Sequence, residues 1–195
     1  MQKPLMPLLA LSLIVLACPA ANAQDKGQTG LTIAFPASVG FVWHVSDRVA
    51  LRPDVSFSFS NSSTDAPPLS SSVDGSSFGV GLSGLFYVGK WEKLRAYITP
   101  RFSYARINTE VSTAVVPPFP AGVTYVLNSP SANTTSIYGV SGSFGAQYSL
   151  SSKFGVFGEA GLGYSDQHST SSFSASSGWT HTFGTRAGVG LIFYF

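Results

Sequence analysis

Five charged residues stand where they could meet one another: Arg52, Asp54, Arg101, Glu159 and Arg186. Each lies in a stretch where apolar residues recur at every second position, and each falls on the opposite parity. Charges on one face of a sheet can neutralise one another as buried ion pairs, or they can line a passage for ions. Glu159 is the expected centre, with Arg101 and Arg186 as its candidate partners. One reading is a satisfied polar network that fills an interior. The other is a gate that opens to small ions. Buried ionic groups mostly need each other, which favours the filling.

Hydrolytic chemistry has weaker support. The histidines are His44, His168 and His181, and Asp166, His168 and Ser169 crowd together in a Ser-rich segment. A triad needs a base oriented by a carboxylate and aimed at a hydroxyl, and proximity in sequence does not supply that. His44 shares the polar parity near a turn, which suits a hydrogen-bonded filler. Cys18 is the only cysteine, and no metal-ligand spacing occurs. The Gly-x-Gly pairs at Gly79/Gly81, Gly161/Gly163 and Gly188/Gly190 open no helix, so they do not read as nucleotide loops. No enzyme, cofactor or metal is expected.

The elements that must carry these residues read as strands. The last is the clearest in direction. Phe183, Ala187, Val189, Leu191, Phe193 and Phe195 share one face, broken only by Thr185, against Gly184, Arg186, Gly188 and Gly190. Before it, alternation marks Leu31–Phe35, Val39–Val45, Val49–Ser60, Phe78–Val88, Arg95–Tyr104, Tyr138–Tyr148 and Phe154–Tyr164. Pro100 removes a ladder donor, so a bulge or local break is expected there. Short turns are expected at 46–48, 89–93 and 150–153, and long loops at 61–77, 108–135 and 165–177. The count is eight if Pro36 marks a turn and seven if 31–45 is one strand. An even count brings the last strand back to the side where the first begins.

Composition agrees. The 195-residue chain suits one domain and is only 10% charged, against about 25% in ordinary soluble domains. No stretch after residue 23 has the roughly 18 apolar residues of a transmembrane helix. No basic run exists to neutralise phosphates, so nucleic acid is not an expected partner. Lys3, the apolar run Leu5–Ala17 and Ala21-Asn22-Ala23 form a secretory signal pattern over residues 1–23. Cleavage is expected between Ala23 and Gln24, which leaves a barrel domain over 24–195. Lipid attachment at Cys18 is the alternative, opposed by Pro19.

The row Val189, Leu191, Phe193, Phe195 resembles the carboxy-terminal signal of bacterial outer-membrane β-barrels. That resemblance implies recognition by the barrel-assembly machinery. More broadly, residues 24–195 resemble the small outer-membrane barrels, the opacity-like proteins and the transmembrane domain of OmpA-like proteins. The resemblance implies an all-β, eight-stranded antiparallel up-and-down barrel in the bacterial outer membrane. It also implies lipid contact, a monomeric state and extracellular loops that can meet external ligands. Structural or surface-contact roles come first, a narrow gated channel second and a lipid-modifying enzyme third. A soluble lipocalin-like barrel would invert the faces, and the glycine-rich polar parity opposes it.

Overall fold

The computed structural model describes residues 26–36, 38–66, 69–115, 127–172 and 177–195. Eight strands form: β1 (Thr29–Phe35), β2 (Ser38–Ser46), β3 (Val49–Ala66), β4 (Leu69–Lys90), β5 (Leu94–Val115), β6 (Leu127–Ser149), β7 (Phe154–Ser171) and β8 (Ser177–Tyr194). Each pairs antiparallel with its chain neighbours, and β8 pairs with β1 to close the barrel. The expected signal segment, with Cys18, Ala23 and Gln24, lies outside the described residues, as does the 117–120 proline run.

Period-2 patterning sets the faces. Val39, Phe41, Trp43 and Val45 point outward on β2, while Val42 and His44 are fully buried within. On β8, Phe183, Val189, Leu191 and Phe193 face out, and Ile192 and Tyr194 are buried. Leu85 is also lumenal and buried, although its apolar side chain does not mark that parity. An eight-stranded barrel has just enough interior for side chains to fill. The core accordingly sits inside the ring and not between layers.

β1 ends at Phe35 and a separate β2 begins at Ser38, which decides the count at eight. The long loops need correction. β3 and β4 pair continuously up to Ala66↔Leu69, β5 and β6 up to Val115↔Leu127, and β7 and β8 up to Thr170↔Ser177. Most of 61–77, 108–135 and 165–177 is therefore β-ribbon. Past the apolar belt both faces of a ribbon meet water. Ser, Thr and Asn then occupy both parities, and the alternation that signals a strand disappears.

Pro100 interrupts without shifting. The β5–β6 ladder runs through Pro100↔Gly142, and the β4–β5 ladder passes from Ser83↔Arg101 to Phe86↔Ile98 in the same register. The register shift comes later, between Tyr87 and Gly89. The local break is present and the bulge lies elsewhere.

Candidate functional site

The lumen is built in tiers. At the short-turn end, the Gln147 amide donates to the Tyr194 hydroxyl at 2.5 Å and accepts from Tyr87 at 3.2 Å. His44 Nε2 lies 3.1 Å from the Tyr87 hydroxyl, and its ring stacks on that of Tyr87. The histidine is thus a hydrogen-bonded filler. Arg95 lies 5.5 Å over the Tyr87 ring.

The next tier carries the charges. The Arg52 guanidinium donates to Glu159 Oε1 at 2.6 Å, and the Tyr97 hydroxyl donates to the same oxygen at 2.9 Å. The Arg52 and Glu159 side chains are 6% and 3% exposed, so this pair is desolvated. Arg52 also lies 4.8 Å over the Phe157 ring. Above it, Arg101 grips both oxygens of Asp54, with Nη2 to Oδ1 at 2.7 Å. Such a two-point grip fixes orientation as well as charge. Higher still, Arg186 donates to the Ser141 hydroxyl at 3.1 Å.

All five charged residues therefore face the lumen, but the expected pairing is wrong in detail. Glu159 meets Arg52, not Arg101 or Arg186. Adjacent strands suggest partners along the wall, whereas the actual pair crosses the lumen from β3 to β7. Backbone neighbours explain why. Glu159 sits between Gly145 and Gly188, and Asp54 between Gly40 and Gly81. With no side chain beside either carboxylate, Arg52 can reach Glu159 from across the barrel and Arg101 can reach Asp54 from two strands away, over Gly81. A Cβ at Gly81 would collide with the Arg101 guanidinium, and one at Gly145 would lie 2.5 Å from the Tyr97 ring.

The hydrolytic set does not assemble. Asp166 pairs with His181 Nδ1. The His168 ring packs on Trp179 at 4.6 Å, and Ser169 Oγ is 3.0 Å from the Thr135 hydroxyl. Among the described residues, no group of three or more His, Cys, Asp or Glu could hold a metal ion.

The outer wall is a continuous apolar belt. Val55, Leu82, Phe102, Val140, Leu162 and Val189 are among its exposed residues. Trp43 and Tyr148 stand outward toward the short-turn end. Tyr104 and Tyr138 pack at 5.1 Å toward the ribbon end, where Tyr164 approaches His181. A polar lumen, an outward apolar band, aromatic rims, and short turns opposite long ribbons are the features of a small transmembrane β-barrel. Val189, Leu191 and Phe193 form part of that band. The Phe195 N–H donates to the Thr29 carbonyl at 3.1 Å, and its ring centroid lies 6.1 Å from that of Phe41.

No protein-family model matches the sequence, and no curated protein sequence matches it. Solved structures share the general shape. Acinetobacter baumannii CarO matches at 13% identity over 90% of this chain and 100% of its own, with a TM-score of 0.46. A major outer membrane protein from Thermus thermophilus matches at 10% identity over 86% and 98%, with a TM-score of 0.47. Yersinia pestis Ail, the attachment invasion locus protein, matches at 10% identity over 87% and 99%, with a TM-score of 0.42. At such scores the likeness does not bear on what this chain does.

Proposed function

We propose that this protein is an integral outer-membrane barrel whose lumen is closed by its polar network and whose ribbons form a surface for external contact. The observation that carries the reading is the opposition of faces. The desolvated Arg52–Glu159 pair lies inside the same strands that present Leu51, Val55 and Val156 outside. An arginine at the lipid midplane costs about 2–4 kcal/mol, so the charged face must be the inner one. Below the pair, Tyr97, Leu85, His44 and Gln147 are fully buried, which supports a closed passage.

The ribbons suit contact with polar partners. Their rungs are side-chain hydrogen bonds between Ser58 and Ser77, Asn61 and Asp74, and Thr134 and Asn108. Trp179 stands 61% exposed near their tip and offers a ring to a partner.

The test has two parts. Protein refolded in detergent should migrate faster unboiled than boiled, and it should insert into vesicles. Recovery as a soluble protein that ignores vesicles overturns the membrane reading. Inserted protein should then be silent in a planar bilayer. Discrete openings that change in Glu159→Ala would replace the closed lumen with a gated narrow channel.

A further inference from the structure

The barrel wall is not of even height. β1 has 7 residues and β2 has 9. A tilted strand needs roughly 9–11 to cross the hydrocarbon. The last rung of their hairpin, Ala34↔Ser38, lies on the same side as the three long ribbons. The flanking strands continue. β3 last pairs with β2 at Val39↔Val55, and β8 last pairs with β1 at Phe35↔Val189. Beyond those rungs, among the described residues, no strand pairs with residues 56–66 of β3 or 177–188 of β8 on their free sides.

This notch opens at the ribbon-side rim of the belt. Phe57 on β3 is 62% exposed and Phe183 on β8 is 70% exposed, and both lie beyond the hairpin's last rungs. The apolar surface thus rises past the hairpin on both flanks. Open sheet edges are not tolerated against lipid unless they line a polar cavity. Such a cavity is present. A polar space of about 320 Å³ is lined by Arg186, Arg101 and Glu159 and reaches Phe35, Pro36 and Ser38 of the hairpin. That is room for roughly ten waters. An apolar groove of about 860 Å³ shares Phe35, Ser38 and Phe157 with it and extends past Ile33, Val55 and Leu191.

Charge selects the occupant. Arg52 is matched by Glu159 and Arg101 by Asp54, while among the described residues no carboxylate pairs with Arg186. Its one hydrogen-bond acceptor there is the Ser141 hydroxyl. The cavity therefore carries one cation in excess, beside an opening toward lipid. We propose that the notch is a lateral opening that admits a single-chain amphiphile with an anionic head from the lipid phase. The head binds Arg186, and the chain lies in the groove past Phe35. The cavity has room for a head group but not for a long chain, so the two spaces divide the molecule between them. This inference rests on the membrane reading above.

The experiment uses refolded full-length barrel in a non-ionic detergent and dodecanoate carrying a photoreactive diazirine at its tail. Heat-modifiable migration is scored first for every sample, so loss of the barrel is told apart from loss of binding. Labelling should map to Ile33, Phe35 or Phe57. Unlabelled dodecanoate should compete, whereas acetate and dodecyltrimethylammonium should not. Arg186→Gln should weaken binding at least about tenfold, and Arg186→Lys should stay within a few-fold of the parent. Labelling spread evenly around the belt, or unchanged by Arg186→Gln, overturns the proposal. Competition by acetate equal to that by dodecanoate would show a water-borne anion site and also overturn it. So would migration of the unlabelled folded barrel as a dimer that Phe57→Ala returns to a monomer, which would place a second copy in the notch. If Arg186→Gln does not refold, Phe35→Trp keeps the question open to measurement. The emission it adds to that of Trp43, Trp91 and Trp179 should be quenched by tail-brominated dodecanoate at concentrations that leave the parent protein bright, and equal quenching of the two proteins refutes the site.

Discussion

The same β-ladders run through two environments, and the contrast between them is instructive. Within the belt, the β4–β5–β6 wall encloses desolvated groups such as Tyr97, Thr99 and Gln147. Beyond it these strands, together with β3, continue as ribbons in which Ser58, Ser77, Thr134 and Asn108 pair with both faces wet. Backbone pairing is continuous across the boundary. What changes is the cost of leaving a polar group alone. Inside, a lost partner strands a charge away from water. Outside, water replaces it.

Substitutions should sharpen that contrast in a graded series. The largest effect is expected for Glu159→Ala, which leaves Arg52 buried without its carboxylate. Breaking one side of such a pair typically costs about 3–5 kcal/mol, readable as a lower urea midpoint in vesicle-refolded protein. Asp54→Ala should cost less, because the Arg101 side chain is 15% exposed and can reach water. Equal losses in the two variants would break the tier-by-tier account.

Second comes the outer face. Val189→Arg should cost about 2–4 kcal/mol if it lies near the midplane, while Phe183→Arg, higher on β8, should cost about 0–1 kcal/mol. Reversal of that order in vesicle unfolding would move the membrane boundary. Third, Gly190→Ala would set a Cβ 2.5 Å from the Phe157 ring and 2.6 Å from the Ile33 carbonyl. Overpacking of this kind costs typically about 1–3 kcal/mol. Gly184→Ala, with nothing within 4 Å, should be far milder. The smallest effect is expected from Ser58→Ala in a ribbon, within about 0.5 kcal/mol. A loss there as large as that of Glu159→Ala would mean that the ribbons are not simply solvated.

The parity of every membrane-level strand was legible because one face had to be greasy. Leu51, Val55 and Phe57 against Arg52, Asp54 and Ser56 admit only one assignment of inside and outside. The ribbons were not legible, because Ser70 to Ser72 or Thr134 to Ser136 carry no apolar row to count. The charged set was recognisable by parity, yet its partners were not. Strand order tells which residues share a rung; it does not tell which tips meet across a lumen. The signal lay in the glycines. Gly145 and Gly188 around Glu159, like Gly40 and Gly81 around Asp54, mark where a long side chain must arrive from beyond the neighbouring strands. The hydrophobic Leu85 on a polar parity gave no cue at all, since it is a filler chosen for volume.

The ladder between β1 and β8 spans only Gly30↔Tyr194 to Phe35↔Val189, whereas that between β5 and β6 runs from Leu94↔Tyr148 to Val115↔Leu127. Every other ladder joins chain neighbours, so it can form as a local hairpin with a small loop to close. The seam alone must bring together segments at opposite ends of the sequence. Closing so long a loop costs chain entropy before any contact is gained. Assembly should therefore proceed as a row of hairpins that curls and closes last at a joint no longer than the β1–β2 ladder. Amide protons of β1 should exchange with solvent before those of β5, because a fastener with so few teeth opens first.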